Sequence, residues 1–310
     1  MRALVLGSAG SQPTPKAGCD CRLCRLARVE GGRAVRTGPS LYLPDFDLLV
    51  DTPEESNQQL AGRGLAPRTV VWTHAHPDHA AGNRVVQFLA QSARRPVLGV
   101  LPRPLYPVFA GRYPLDYLVD AGYLELRLIP VGRPVELGGL RLTALAHEMD
   151  EPVFAYVFEA EGARGLYAPD HVRFLPPPPG SFDWAVVQMP IPPLEALPFE
   201  LPPDHEAWGS FYTFEQAVEL WRGRVRRLVF THVYESVGMT PEELDTVAAS
   251  AGDWVAFAHD GMEVGPAAGG QLERLRRFRA EQERLERQHA GDPKRLRAEL
   301  RRLWERFREE

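Results

Sequence analysis

The sequence predicts an α/β fold, and three observations carry the prediction. Short β-branched or apolar runs alternate with helix-like segments along most of the chain. Asp51, His74, His147, Asp170 and His232 each stand at the C-terminal end of one of those runs, the edge where a rigid sheet presents chemical groups from its loops. At 310 residues the chain can bury a large core, as one big domain or two smaller ones.

Taken in order, residues 3–7 form a first strand ending in a flexible Gly-Ser-Ala-Gly-Ser turn, too short and wrongly flanked for a signal peptide. Next comes a loop with Gly18-Cys19-Asp20-Cys21-Arg22-Leu23-Cys24. Residues 41–43 and 48–50 read as a hairpin, after which Asp51 is also placed to cap a helix ahead of Pro53-Glu54-Glu55. Residues 69–72 make a strand and 80–93 a helix. Strands follow at 96–101, 124–131, 140–146, 154–160, 164–168 and 184–189, with proline-rich loops before Pro114, at residues 176–179 and up to Pro203. A helix at 213–222 and a strand at 227–230 lead to Thr240-Pro241-Glu242-Glu243, which has an N-cap, a proline at the first helical position and a capping-box glutamate. Residues 254–264 read as the last strand.

Residues 1–265 are therefore expected to form the body and 266–310 a charged C-terminal helical hairpin. In its second helix Leu296, Leu300, Leu303 and Phe307 recur at spacings of four, three and four, one apolar stripe. From Gln271 onward there are 13 Lys and Arg against 9 Asp and Glu, although the whole chain carries −5. The interleaved acidic residues are those of a solvated helix face, so the stripe is expected to pack on the body or a second copy, as a homodimer contact, rather than on nucleic acid. There is no run of 18 apolar residues, so no membrane span is expected.

The chemistry centres on Thr73-His74-Ala75-His76-Pro77-Asp78-His79. Three imidazoles and a carboxylate within six residues is a metal-ligand spacing. In the extended part His74 and His76 share a face, Pro77 keeps His76 extended, and Asp78 and His79 fall at the helix start. Two metals need six or seven ligands. His74, His76 and His147 can make one site, Asp78, His79 and His232 the other, and Asp170 can bridge them. Asp51 is suited to orienting a ligand imidazole through its ring N–H. Imidazole and carboxylate together suit zinc, iron or manganese. Cys19, Cys21 and Cys24 suit a closed tetrahedral zinc site whose fourth ligand comes from elsewhere; three free thiols is the other reading. Three clustered cysteines also point to a reducing cytoplasm rather than to disulfides.

His74-Ala75-His76-Pro77-Asp78-His79, with His147, Asp170 and His232, resembles the metallo-β-lactamase superfamily of metallohydrolases. That resemblance implies an αββα sandwich of the metallo-β-lactamase type with a dimetal site at one edge, the C-terminal helical hairpin being an addition. The Cys19, Cys21, Cys24 motif is similar to that of PhnP-type cyclic phosphodiesterases and PqqB proteins. Thr231-His232 with His259-Asp260-Gly261-Met262-Glu263-Val264 resembles the C-terminal end of the PhnP type. PqqB-like proteins tend to lack a complete dimetal motif, whereas this chain has all seven ligands, which favours a hydrolase. The implied activity is cleavage of a phosphodiester, small or cyclic, by a metal-bridging hydroxide, with Asp78 and Asp170 in the catalytic centre and two zinc or manganese ions bound. A lactone, thioester or β-lactam hydrolase and a non-catalytic carrier are the alternatives. Where the PhnP type completes its structural zinc site with a histidine, this chain has Glu235, so Glu235 or His205 is the candidate fourth ligand. The PhnP type also carries a histidine that assists catalysis ahead of the helix beginning here near Thr213, a role His205 would take. His171, beside Asp170, is placed to pack or to donate a proton.

Overall fold

The computed structural model describes residues 1–265 and, beyond them, residues 281, 284, 285, 287–289, 295, 299, 300, 302 and 303. The chain divides into two units, Met1–Gly265 and Pro266–Glu310. In the second, Leu285 and Leu303 are buried. Leu296 and Phe307 of the expected stripe lie outside the described residues. Among the described residues, no helix is long and apolar enough to cross a membrane.

The first unit is an αββα sandwich of two seven-stranded mixed sheets. One contains β1 (Ala3–Gly7), β2 (Ser40–Leu43), β3 (Leu48–Val50), β4 (Thr69–Val71), β5 (Val97–Pro102) and β6 (Leu124–Ile129). The other contains β7 (Val135–Leu137), β8 (Leu140–Ala146), β9 (Phe154–Ala160), β10 (Ala163–Ala168), β11 (Phe182–Gln188), β12 (Val225–Thr231) and β13 (Val255–Phe257). The last strand, β14 (Glu263–Val264), returns to the first sheet and pairs antiparallel with β1. The single strand expected over 254–264 is thus two short strands in different sheets, broken at the Asp260-Gly261 turn.

The two sheets share a plan. An antiparallel hairpin, β2–β3 or β9–β10, is followed by strands added in parallel, β4–β6 or β11–β13. Parallel strands need crossovers, which helices supply. On the first sheet these are α2 (Ser56–Ala61), α3 (Pro77–Ala80), α4 (Val85–Ala93), α5 (Leu105–Arg112) and α6 (Leu115–Asp120); on the second, α7 (Ala207–Ser210), α8 (Phe214–Trp221) and α9 (Pro241–Ala251), numbered after the N-terminal α1 (Arg22–Glu30). Phe214 and Trp221 of α8 and Leu244 and Val247 of α9 join Phe230 and Phe257 in one buried cluster over the second sheet. At about 25 cal/mol per Å² of apolar surface removed from water, such large side chains dominate the core.

Three local differences from the sequence expectation matter for the site. The helix expected over 80–93 is split into α3 and α4, because Gly82 donates its N–H to Thr52 (2.8 Å) and a Cβ there would collide with the Pro53 carbonyl. The proline-rich stretch before Pro114 contains α5, with Pro104 at its N-cap and Pro107 in its first turn, where a missing N–H costs nothing, and α6 follows Pro114 where the sequence suggested no element. Asp51 does not cap a helix; α2 starts later, after Glu55.

Candidate metal centre

Parallel register brings the site together. Val50 lies beside Val71, so Asp51 is carried next to Thr73, whose backbone N–H it accepts at 2.7 Å. Ala168 lies beside Val187 and Gln188 beside Thr231, so Asp170 and His232 emerge around the end of β11. The sheets are tied at this edge by Phe154 N–H to Thr73 O (3.0 Å) and Tyr156 Oη to Trp72 O (2.7 Å).

Two groups of ligand atoms result, each within 4.8 Å: His74, His76, Asp170 and His171, and Asp78, His79 and His232. Asp170 Oδ2 stands 3.7 Å from His74 Nε2 and 3.8 Å from His232 Nε2, between the two. In the second group His79 Nε2 and His232 Nε2 are 3.2 Å apart, and Asp78 Oδ2 lies 3.4 Å and 3.2 Å from them. Asp51, His171 and His232 all have positive φ (64°, 51° and 58°), a conformation costly for side-chain-bearing residues and one that clusters at functional sites.

The ring orientations are fixed from behind. Asp51 accepts from His79 Nδ1 at 2.8 Å, leaving Nε2 to face the site. Thr73 Oγ1 lies 2.9 Å from His74 Nδ1 and donates to Asp51. Gln188 Nε2 donates to Asp170 Oδ1 at 2.5 Å and holds the other carboxylate oxygen toward the metal ligands.

His147, expected in the first group, is not among the four residues whose ligand atoms all lie within 4.8 Å of one another, and His171 is. His147 N–H closes the 147–153 loop on Val153 O, and its Nδ1 bonds the same carbonyl at 3.1 Å. Its Nε2 is buried without a hydrogen-bond partner, as is that of His74. An unpartnered buried polar atom costs about 1–3 kcal/mol, so both nitrogens suit a ligand not made of protein. Burial holds the His147 ring neutral, lowering its pKa to about 4.

Charge points the same way. Burial, then His79 and His76, push His74 well below the ordinary imidazole range. Burial opposes protonation of His79, but Asp78 and Asp51 outweigh it and raise its pKa to about 9. Burial likewise disfavours the Asp78 and Asp170 carboxylates, yet the facing imidazoles hold both below the usual range. Buried carboxylates and imidazoles converging on two points form a donor set that fits two divalent cations.

The remaining expected residues are distributed as follows. Glu235 Oε1 lies 3.3, 2.9 and 3.7 Å from the sulfurs of Cys19, Cys21 and Cys24, so the fourth member of this group is Glu235 and not His205. The three cysteines are free, Cys21 capping α1 and Cys24 lying within it rather than in a loop. Burial and the bond to Glu235 raise the Cys21 thiol to about 12. His205 is exposed, its Nδ1 accepting from Ala207 N–H at 3.1 Å, on the rim of a cavity beside the site.

Sequence reasoning passed over Gln188, Tyr234 and Glu151. Gln188 ends a strand, the position that marked the ligands, and could have been read by the same rule. Glu151 bonds His76 Nε2 at 3.1 Å and Arg112 at 2.7 Å from an irregular loop, where nothing distinguishes it from its acidic neighbours.

A two-sheet sandwich with paired His and carboxylate clusters at one edge defines the metallo-β-lactamase class of metal-binding folds. The chain belongs to the beta-lactamase superfamily domain family, whose model matches residues 44–233. Among solved structures, a diphosphatase from the PhnP family is similar at TM-score 0.65 and 20% identity, over 85% of this chain and 97% of that one. Zn(2+)-bound PqqB from Methylobacterium extorquens is similar at TM-score 0.67 and 18% identity, over 86% and 100%. YhfI from Bacillus subtilis is similar at 0.61 and 16%, over 86% and 99%. An octanoyltransferase from Porphyromonas gingivalis (strain ATCC BAA-308 / W83) is 35% identical over 86 residues, which is 26% of this chain; the chain spans 17% of that protein's length.

Proposed function

We propose that the protein is a dimetal hydrolase that cleaves a phosphodiester. The observation that carries this reading is Asp170 Oδ2, set 3.7 Å from one cluster's His74 and 3.8 Å from the other's His232, as a carboxylate shared by two cations would be. His74, His76 and Asp170, with His171 or His147, would hold one ion, and Asp78, His79 and His232 the other, the ions being zinc or manganese. When bound, such a pair polarises the phosphoryl oxygens and lowers the pKa of water held between them. The chain's own part is positional: Asp51, Thr73 and Gln188 fix ligand directions. His205, on the rim of the adjoining cavity, would assist by hydrogen-bonding the departing alkoxide through Nε2. The similarity to a PhnP-family diphosphatase supports a phosphorus ester or anhydride over a lactone or thioester. Cys19, Cys21, Cys24 and Glu235 would hold a structural zinc, and three free thiols side by side support a reducing, cytoplasmic setting.

The test is a panel of bis(p-nitrophenyl) phosphate, cyclic nucleotides, lactones and thioesters, assayed with added zinc or manganese. Asp170→Ala should lower both the metal content of the His/Asp centre and turnover, the latter by at least about 100-fold, since the shared carboxylate is lost. Full activity with unchanged metal content in Asp170→Ala would remove the assignment.

A further inference from the structure

A cavity of about 420 Å³ adjoins the metal centre, within the range of about 300–1,000 Å³ usual for small-molecule sites. Its walls come from the proline-rich segment after β11 and from the start of the segment after His232. Met189, Ile191, Leu197, Phe199, Phe211 and Tyr234 line it; the polar side chains on its wall are those of His205, Glu206 and Ser236, and no Lys or Arg takes part. Phe199 is 44% exposed and the neighbouring Leu194 51%, so apolar surface is left facing solvent at its mouth.

Tyr234 is the shared wall. Its ring lies edge-on to His232, with centroids 5.0 Å apart, and its hydroxyl accepts from Gln188 Nε2 at 3.3 Å, the same amide that holds Asp170. Phe211 packs edge-on against its other side at 5.4 Å. Tyr234 is thus the wall between His232 and the apolar cavity.

We infer that the cavity is the subsite for an uncharged apolar group of the substrate, so that the ester cleaved is a monoanionic phosphodiester with an alkyl or aryl arm. The inference rests on the hydrolase reading. A nucleotide or polyphosphate arm would bring hydroxyls or further negative charge to walls that hold no Lys or Arg and include Glu206, leaving those groups poorly paired. An alkyl arm covers Leu197 and Phe199 and leaves its phosphate at Asp170 and the histidines. Hydrolysis then forms a P–O bond from water, breaks the P–O bond to the leaving alcohol, and moves one proton of that water to the alcohol.

The experiment uses the metal-loaded full chain with p-nitrophenyl phosphodiesters whose second arm is methyl, n-hexyl or 5′-thymidine. The hexyl ester should exceed the methyl ester in kcat/KM by at least about tenfold, the scale on which a few methylenes in an apolar pocket discriminate. Phe199→Ser and Leu197→Asn, singly, should reduce the hexyl-to-methyl ratio at least about threefold. Phe199 is largely exposed, so its replacement spares the core. Calorimetry with monohexyl and monomethyl phosphate reads the same preference without turnover. Equal rates and equal binding for the two arms, or a preference for thymidine, would overturn the subsite. If none of the diesters is hydrolysed, yet monohexyl phosphate binds more tightly than monomethyl phosphate and Phe199→Ser abolishes the difference, the hydrolase reading fails and the subsite stands.

Discussion

Asp51 and Asp170 hold matching places in the two halves. Each follows the second strand of a hairpin, and each is engaged by a residue at or just beyond the end of the next parallel strand: Thr73 for Asp51, Gln188 for Asp170. Their duties differ because their neighbours do. Asp51 is fully buried behind His79 and works on it through Nδ1, whereas Asp170 faces both clusters. A carboxylate that orients a ligand histidine usually governs about 10–100-fold in metal affinity. Asp51→Ala should therefore weaken one of the two ions by that factor in a metal titration while leaving the other in place; unchanged affinity for both would show that His79 needs no support. The histidine-rich stretch was legible because six residues held four ligands at a spacing with a physical reason. His171 was harder to read, since its part in the first cluster depends on a left-handed backbone at the residue after Asp170, which no spacing rule signals.

At the scale of elements, the start signals were the most legible. Thr213 and Thr240 both form full capping boxes, Thr240 Oγ1 accepting from Glu243 N–H at 3.3 Å while Glu243 accepts the Thr240 N–H at 2.8 Å. Thr240→Ala should destabilise the folded protein by about 1 kcal/mol in denaturant titration, with the slope unchanged. Glu243 adds a pH dependence whose sign follows from its shift. The Thr240 N–H and Arg22 hold its carboxylate below the ordinary 4.5, so its contribution is complete above that value and fades as pH falls through the lower, folded-state pKa. In Glu243→Gln this acid-side loss should be absent. Elements whose identity depends on distant partners were less legible. β14 has two residues and is a strand only because β1 lies beside it, and α5 sits where a proline count suggested loop.

For the whole molecule, both sheets and every candidate ligand lie within Met1–Gly265. A chain ended at Gly265 should keep the metal stoichiometry of the full-length protein and its activity per metal-loaded chain. A full-length chain of twice the monomer mass by sedimentation equilibrium, falling to one monomer mass on truncation, would reveal a homodimer made by the C-terminal segment. Loss of metal from a truncated chain that stays folded would show that residues 266–310 belong to the catalytic body.

The pairing of β14 with β1 carries one more consequence. Ala3 is opposite Val264, and Asp260 accepts from Ser8 and Thr37. During synthesis β1 thus waits for nearly the last residues of the body before its edge is covered. Such long-range closure is slow to form, and an open strand edge is prone to wrong pairings in the meantime. During synthesis the N-terminal strand is therefore the vulnerable one. The beginning and end of the body also emerge side by side, so a new chain start cut into an exposed loop, with the old ends joined by a short linker, would let β14 and β1 be made consecutively and shorten that wait.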